Sequence, residues 1–156
     1  MNANAVRAWA MVAVQGVLFL TVAVTAFLRD VGPALFTSLW LALALVLVGS
    51  AGVIASGRNL GRSLTPSPVP NEAGLAASGL YRYARHPMYT ALVVICLGVA
   101  VGSGALLCYV SVVVLAVFFG FKARMEERYL RRVYNGYDAY AARTGRFLPG
   151  IGRRKG

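Results

Sequence analysis

Acidic side chains are scarce in this sequence: five Asp and Glu among 156 residues, set against 16 Lys and Arg, with one histidine and two cysteines. A single imidazole cannot build a metal site without several further ligands, and neither cysteine has a second Cys or a His at ligand spacing. No glycine-rich dinucleotide fingerprint, phosphate-binding loop or Ser-His-Asp arrangement is present. Charge as a whole is also low, at 13% of residues, whereas 58% are hydrophobic and the mean hydropathy is +0.65. That composition is too apolar for a soluble domain of this size. It predicts an all-α, polytopic membrane protein with about four transmembrane helices.

What is abundant is long apolar sequence. Ala8 to Phe27 and Ala34 to Ala55 are each about 20 residues, which at ~1.5 Å per residue covers a ~30 Å hydrocarbon core. The first run is longer than the apolar core of a signal peptide and no convincing cleavage site follows, so it is read as a span. A third block, Met88 to Phe121, is too long for one helix and contains the turn signal Gly102-Ser103-Gly104. It reads as a helical hairpin with arms Met88 to Val101 and Ala105 to Phe121, which tilt or local thinning must help to span.

The chain thus divides, within one integral membrane domain covering 1–156, into two N-terminal spans (8–55), a loop (56–87), the hairpin (88–121) and a C-terminal helix and tail (122–156). Only Arg29 of the 16 cations falls in a loop predicted to face outward. Lys and Arg accumulate on the cytoplasmic side of short loops, so both termini are predicted to be cytoplasmic at an inner or plasma membrane. The net charge of +11 flanks spans and forms no base-reading module, which points to anionic headgroups and away from nucleic acid. Cys96 and Cys108 lie inside the hairpin arms and read as buried, inert thiols.

The loop carries Thr65-Pro66-Ser67-Pro68-Val69-Pro70 and Asn71-Glu72, and its alternating prolines favour an extended chain. It leads through Ser78-Gly79-Leu80-Tyr81-Arg82-Tyr83 into Arg85-His86-Pro87-Met88-Tyr89, a polar and aromatic cluster at the start of the hairpin. A second cluster, Glu126-Glu127-Arg128-Tyr129-Leu130, stands where the hairpin ends. Folding the hairpin brings both clusters to one membrane surface. Beyond it, Phe121, Met125, Tyr129, Val133, Tyr137 and Tyr140 recur at helical spacing, with Arg124, Arg128, Arg131 and Arg132 opposite, as in an amphipathic helix on a membrane. Pairing within that helix, with Lys122, Arg124 or Arg131, is the simplest account of Glu126 and Glu127. A carboxylate at the interface could instead hold the ammonium of an amino-acid-like ligand.

From about Leu75 to Pro149 the chain resembles the isoprenylcysteine carboxyl methyltransferases and their bacterial relatives, which are related to phospholipid N-methyltransferases. The resemblance rests on Gly79 to Tyr89, the hairpin, the Glu126 to Leu130 cluster, Tyr137-Asp138-Ala139-Tyr140, and Arg143 to Pro149. Carried over position by position, it implies that Gly79, Tyr81, Tyr83, Arg85, His86, Pro87 and Tyr89 contact S-adenosylmethionine. It also implies that Glu127 and Glu126 orient the amino-acid end of that cofactor, and that Arg124 or Lys122 acts with Glu127 near a lipophilic methyl acceptor. The chain departs from the family pattern at Leu80 and at Thr144-Gly145.

Membrane sterol reductases carry a similar His-Pro-x-Tyr element, so an NADPH-dependent reductase is the alternative enzyme. A non-enzymatic membrane scaffold or small transporter is the third reading, although the spans hold no internal Asp, Glu, Lys or Arg to line a polar path. The predicted orientation is directly measurable. A cysteine placed at Arg29 should react with an impermeant maleimide added outside intact cells, and one placed at Arg153 should not.

Overall fold

The computed structural model describes residues 3–61 and 74–153, so the proline-rich stretch and Asn71-Glu72 lie outside the described residues. Among the described residues five α-helices follow one another: α1 (Ala3–Thr25), α2 (Leu39–Leu60), α3 (Pro87–Ser103), α4 (Leu106–Val133) and α5 (Tyr137–Arg143), with a 3₁₀ turn at Gly79–Arg82 before α3. Among the described residues there is no strand, only isolated bridges joining Ala34 to Ala105 and Ala84 to Gly145. The chain is an all-helical integral membrane protein whose last two apolar helices form a hairpin.

By length and composition α1, α2 and α4 are able to cross a bilayer. At 17 residues, α3 is about 25 Å long, short of a ~30 Å core. Where about four spans were expected, three helices among the described residues have the length and composition of a crossing, and α3 is a shorter apolar helix. Pro87 at the first helical position and Gly104 in a left-handed conformation (φ 71°) mark the two ends of α3. A Cβ at Gly104 would come within 2.3 Å of the Thr37 methyl, because the α1–α2 connection lies against the hairpin turn. That docking moves the start of α2. Ala34 to Phe36 read as part of a span, yet they lie outside α2: Leu35 N–H donates to Gly104 O at 2.9 Å, and the helix begins after Ser38, whose hydroxyl accepts from Leu41 N–H at 3.4 Å.

The most extensive packing is between α2 and α3. Small residues let the backbones approach: a Cβ on Gly49 would lie 2.8 Å from Ala91 O and 2.9 Å from Ile95 N, and one on Gly98 would lie 3.0 Å from Ala42 O. Along the seam of α1 with α4, Val22, Cys108, Val112, Leu115 and Phe119 are buried. Thr25 Oγ1 donates to Ser111 Oγ there at 3.3 Å. Cys96 and Cys108 are free, buried thiols. The outward faces carry Trp9, Leu20, Leu47, Val113 and Val117, all exposed, as lipid-facing side chains are.

At 28 residues, α4 is about 42 Å long, so it continues past the hydrocarbon layer. It ends at Tyr134, whose backbone is extended (φ −117°). Asn135-Gly136 then turns the chain into α5. Tyr137 and Tyr140 continue the apolar spacing of α4 but belong to α5, where they pack with Leu75, Leu130 and Tyr134.

The glycine contacts separate two outcomes. Gly49→Ala should destabilise the bundle by about 2 kcal/mol, because backbone atoms of α3 must move. Gly120→Ala, with nothing within 4 Å of its added methyl, should be neutral or stabilise by up to ~1 kcal/mol. Thermal unfolding of both variants in the same detergent compares them.

Candidate active site

Tyr83 closes the 3₁₀ turn with helical backbone angles, and Ala84 to His86 then reach α3 outside any helix, so their backbone needs partners elsewhere. The chain after α5 supplies them: Arg85 N–H donates to Gly145 O at 2.8 Å, His86 N–H to Arg146 O at 2.9 Å, and Gly145 N–H to Tyr83 O at 3.2 Å. Gly145 is sterically required, since a Cβ there would sit 1.8 Å from Leu148 O. The Thr144-Gly145 departure thus accompanies a turn folded tightly back on this short ladder.

The Arg85 side chain is buried and uses its guanidinium entirely within the protein. Nε donates to Glu127 Oε1 at 3.0 Å, one terminal nitrogen to Ala141 O at 2.9 Å and to Thr144 O, and the other to Gly152 O at 2.9 Å. Glu127, also buried, accepts in addition from Arg146 Nε at 3.0 Å and from its terminal nitrogen at 2.8 Å. His86 Nε2 lies 3.4 Å from Glu127 Oε1, within ion-pair distance but off the line of a hydrogen bond. Glu127 therefore pairs across three chain segments and not along its own helix. Arg131 pairs with Asp138 at 3.1 Å.

Glu126 is placed differently. Its side chain is 28% exposed, and it accepts from Tyr89 Oη at 2.8 Å, with His86 Nδ1 3.7 Å away. The Tyr89 ring stacks on His86 (centroids 5.3 Å, interplanar 2°) and on Phe119 (4.6 Å, 10°), so three aromatic rings follow one another. Lys122 is buried, its Nζ 2.5 Å from Gln15 Oε1 and 5.6 Å from the centroid of the Tyr89 ring.

The other residues singled out in the sequence divide between this cluster and the surface. Gly79 has φ 56°, and its missing Cβ admits the Asn59 amide of α2. Tyr81 is buried, its carbonyl accepting from Tyr140 Oη at 2.5 Å. Burial first, and then the nearby Glu126, pushes the Tyr81 phenol well up, and burial pushes that of Tyr140 up to about 12. Tyr83 is exposed under the Arg82 guanidinium. Arg124 is exposed and packs over Phe121. The structure thus groups Tyr81, Arg85, His86, Tyr89, Glu126, Glu127 and Lys122, and leaves Tyr83 and Arg124 outside the group. Arg146, Phe147 and Gln15 join it without having been singled out. Arg146 had a signal in the Arg143 to Pro149 pattern, and Gln15 in being a lone amide in an apolar span.

Two cavities meet at this group. A small polar one, about 50 Å³, is lined by Leu60, Tyr81, Arg85, His86, Met88, Tyr89 and Glu126. An apolar one, about 230 Å³, lies between α3 and α4 and is lined by Tyr89, Thr90, Val93, Val94, Ala116, Phe119, Phe147 and Leu148. Tyr89 lines both.

The model of the phospholipid methyltransferase family matches residues 37–136, and the chain belongs to this family, which is of the same type as the isoprenylcysteine carboxyl methyltransferases. No curated protein and no solved structure matches it. Membership makes the chain a membrane methyltransferase of this kind. The matched residues hold both clusters and end before Arg146.

Removing the Glu127 charge leaves Arg85 buried without its counter-charge. Glu127→Gln should therefore cost about 3 kcal/mol of stability. Arg146→Gln, which removes a partly exposed partner, should cost about 1 kcal/mol. Denaturant unfolding in mixed micelles measures both.

Proposed function

We propose that the chain transfers a methyl group from S-adenosylmethionine to a lipophilic acceptor at the cytoplasmic face of the membrane. The observation that carries this reading is Tyr89, one side chain shared by a polar cavity beside Glu126 and an apolar cavity open between α3 and α4. A polar donor and a lipid-soluble acceptor need such unlike compartments in contact.

The residues present suit the amino-acid end of the cofactor. Glu126 retains acceptor capacity beyond its bond from Tyr89, enough for an ammonium group, and the Tyr81 ring suits a sulfonium cation. The polar cavity among the described residues has room for that end and not for a nucleoside. When bound, S-adenosylmethionine would supply an activated methyl group.

The protein's own contribution is alignment and charge. Placing acceptor and methyl in line is worth effective molarities of ~10⁵ M or more. Phe119, Phe147 and Val93 exclude water from the acceptor side, where a fixed charge acts more strongly than in water. Of the two cations considered, Lys122 is the one at the Tyr89 ring, and we assign it to the acceptor end. Glu127 and Arg85 act as positioning residues, since their hydrogen bonds are already made to protein groups. Tyr83 and Arg124 have no part in this reading.

Calorimetry with adenosylhomocysteine in detergent should show saturable binding to the folded protein, and none with NADPH. Glu126→Gln should weaken that binding about tenfold, the loss of one charged hydrogen bond of ~1.5 kcal/mol. Ala116→Trp, which fills the apolar cavity, should keep the binding and abolish methyl transfer to membrane acceptors. Unchanged affinity in the first variant, or full transfer in the second, would reject these assignments.

A further inference from the structure

A third cavity, about 190 Å³, lies on the side of the Glu127–Arg146 pair away from the two cavities already described and is lined by Arg124, Glu127, Arg128, Arg131 and Arg146, sharing no lining residue with the apolar or the small polar cavity. Four guanidiniums face one carboxylate. Glu127 is already engaged by Arg85 and Arg146, and Arg131 by Asp138. Among the described residues, Arg124 and Arg128 have no acid within ion-pair distance. The local charge is strongly positive around a space large enough for a tetrahedral anion.

Its position along α4 names the source of that anion. Val110, Val113, Val117 and Phe121 are exposed on α4, and their spacing puts them on one helix face. Arg124 and Arg128 continue that spacing, three and seven residues past Phe121, or about 4.5 and 10 Å farther along the axis. The Arg124 guanidinium lies 5.8 Å from the Phe121 ring centroid. The lipid-facing stripe thus turns from apolar to cationic over one to two helical turns, the depth at which a bilayer turns from acyl chain to phosphate. A soluble anion would not require the site to continue a lipid-facing surface.

We infer that this arginine-lined cavity binds the phosphate of an anionic phospholipid headgroup, with Arg124 and Arg128 as its principal donors and Arg146 at its base. Arg146 also donates to Glu127, so the bound lipid lies against the ion-pair cluster that orders Arg85. The inference concerns binding alone and does not require methyl transfer.

The full chain in uncharged detergent is titrated with dihexanoyl phosphatidylglycerol, dihexanoyl phosphatidylcholine and sodium phosphate. Saturable binding of the glycerol lipid is expected, tighter than that of the choline lipid or free phosphate. Arg128→Gln should weaken it about fivefold, the ordinary contribution of one arginine near an anionic surface. Arg29→Gln, in the connection at the opposite end of the bundle, should leave it unchanged. Equal affinity in R128Q, or no preference for the glycerol lipid over the choline lipid, overturns the site. Free phosphate binding as tightly as the lipid overturns the headgroup assignment. A protein that binds adenosylhomocysteine yet fails these tests would refute this inference and leave the methyltransferase reading intact.

Discussion

The basic end of this molecule depends on one buried carboxylate. Glu127 leaves α4 into a space where water cannot solvate it, and Arg85 and Arg146 replace that water with hydrogen bonds at 2.8 to 3.0 Å. A buried charge is tolerated only when paired and hydrogen-bonded. Satisfying it ties together the segment before α3, the end of α4 and the chain after α5. Arg85 extends the tie to the carbonyls of Ala141, Thr144 and Gly152. A region with little apolar core of its own is thereby held against the membrane helices.

That frame sets the environment of the neighbouring acid. Because Glu127 is consumed in structure, Glu126, one residue earlier and about 100° around the helix, keeps a partly open carboxylate beside Tyr89 and His86. Adjacent residues of the same type thus occupy different chemical positions. The stack of His86, Tyr89 and Phe119 then separates polar from apolar space with flat, rigid rings. Two short motifs far apart in sequence become one surface because the α3–α4 hairpin returns the chain to its starting side.

Much of this was legible from residue order. The lack of charge inside long apolar runs marked the membrane helices, Gly102-Ser103-Gly104 marked the hairpin turn, and the Arg85 to Tyr89 cluster marked the start of the hairpin. Other features were not. Ala34 to Phe36 are as apolar as the span they precede, and their hydrogen bonding to the hairpin turn is a long-range fact. The spacing of Tyr137 and Tyr140 continues that of α4, while the break at Asn135-Gly136 sends them into a different helix. Arg124 and Lys122 are close in sequence, yet 100° per residue turns one to the surface and the other against Tyr89. Burial separates them, and burial depends on neighbours.

By itself, the amino-acid sequence determined the class: transfer of apolar side chains out of water is additive along the chain, so long runs without charge require a bilayer. It also determined which residue types stand where the apolar runs begin and end. Only the tertiary structure decided which of two adjacent glutamates is locked and which is open, that Arg146 closes the ion-pair cluster, and that Tyr89 is shared by two cavities. Those outcomes rest on distances between segments separated by 19 to 67 residues. Short-range propensity does not encode such distances, whereas the requirement to pair every buried charge does enforce them once the helices pack.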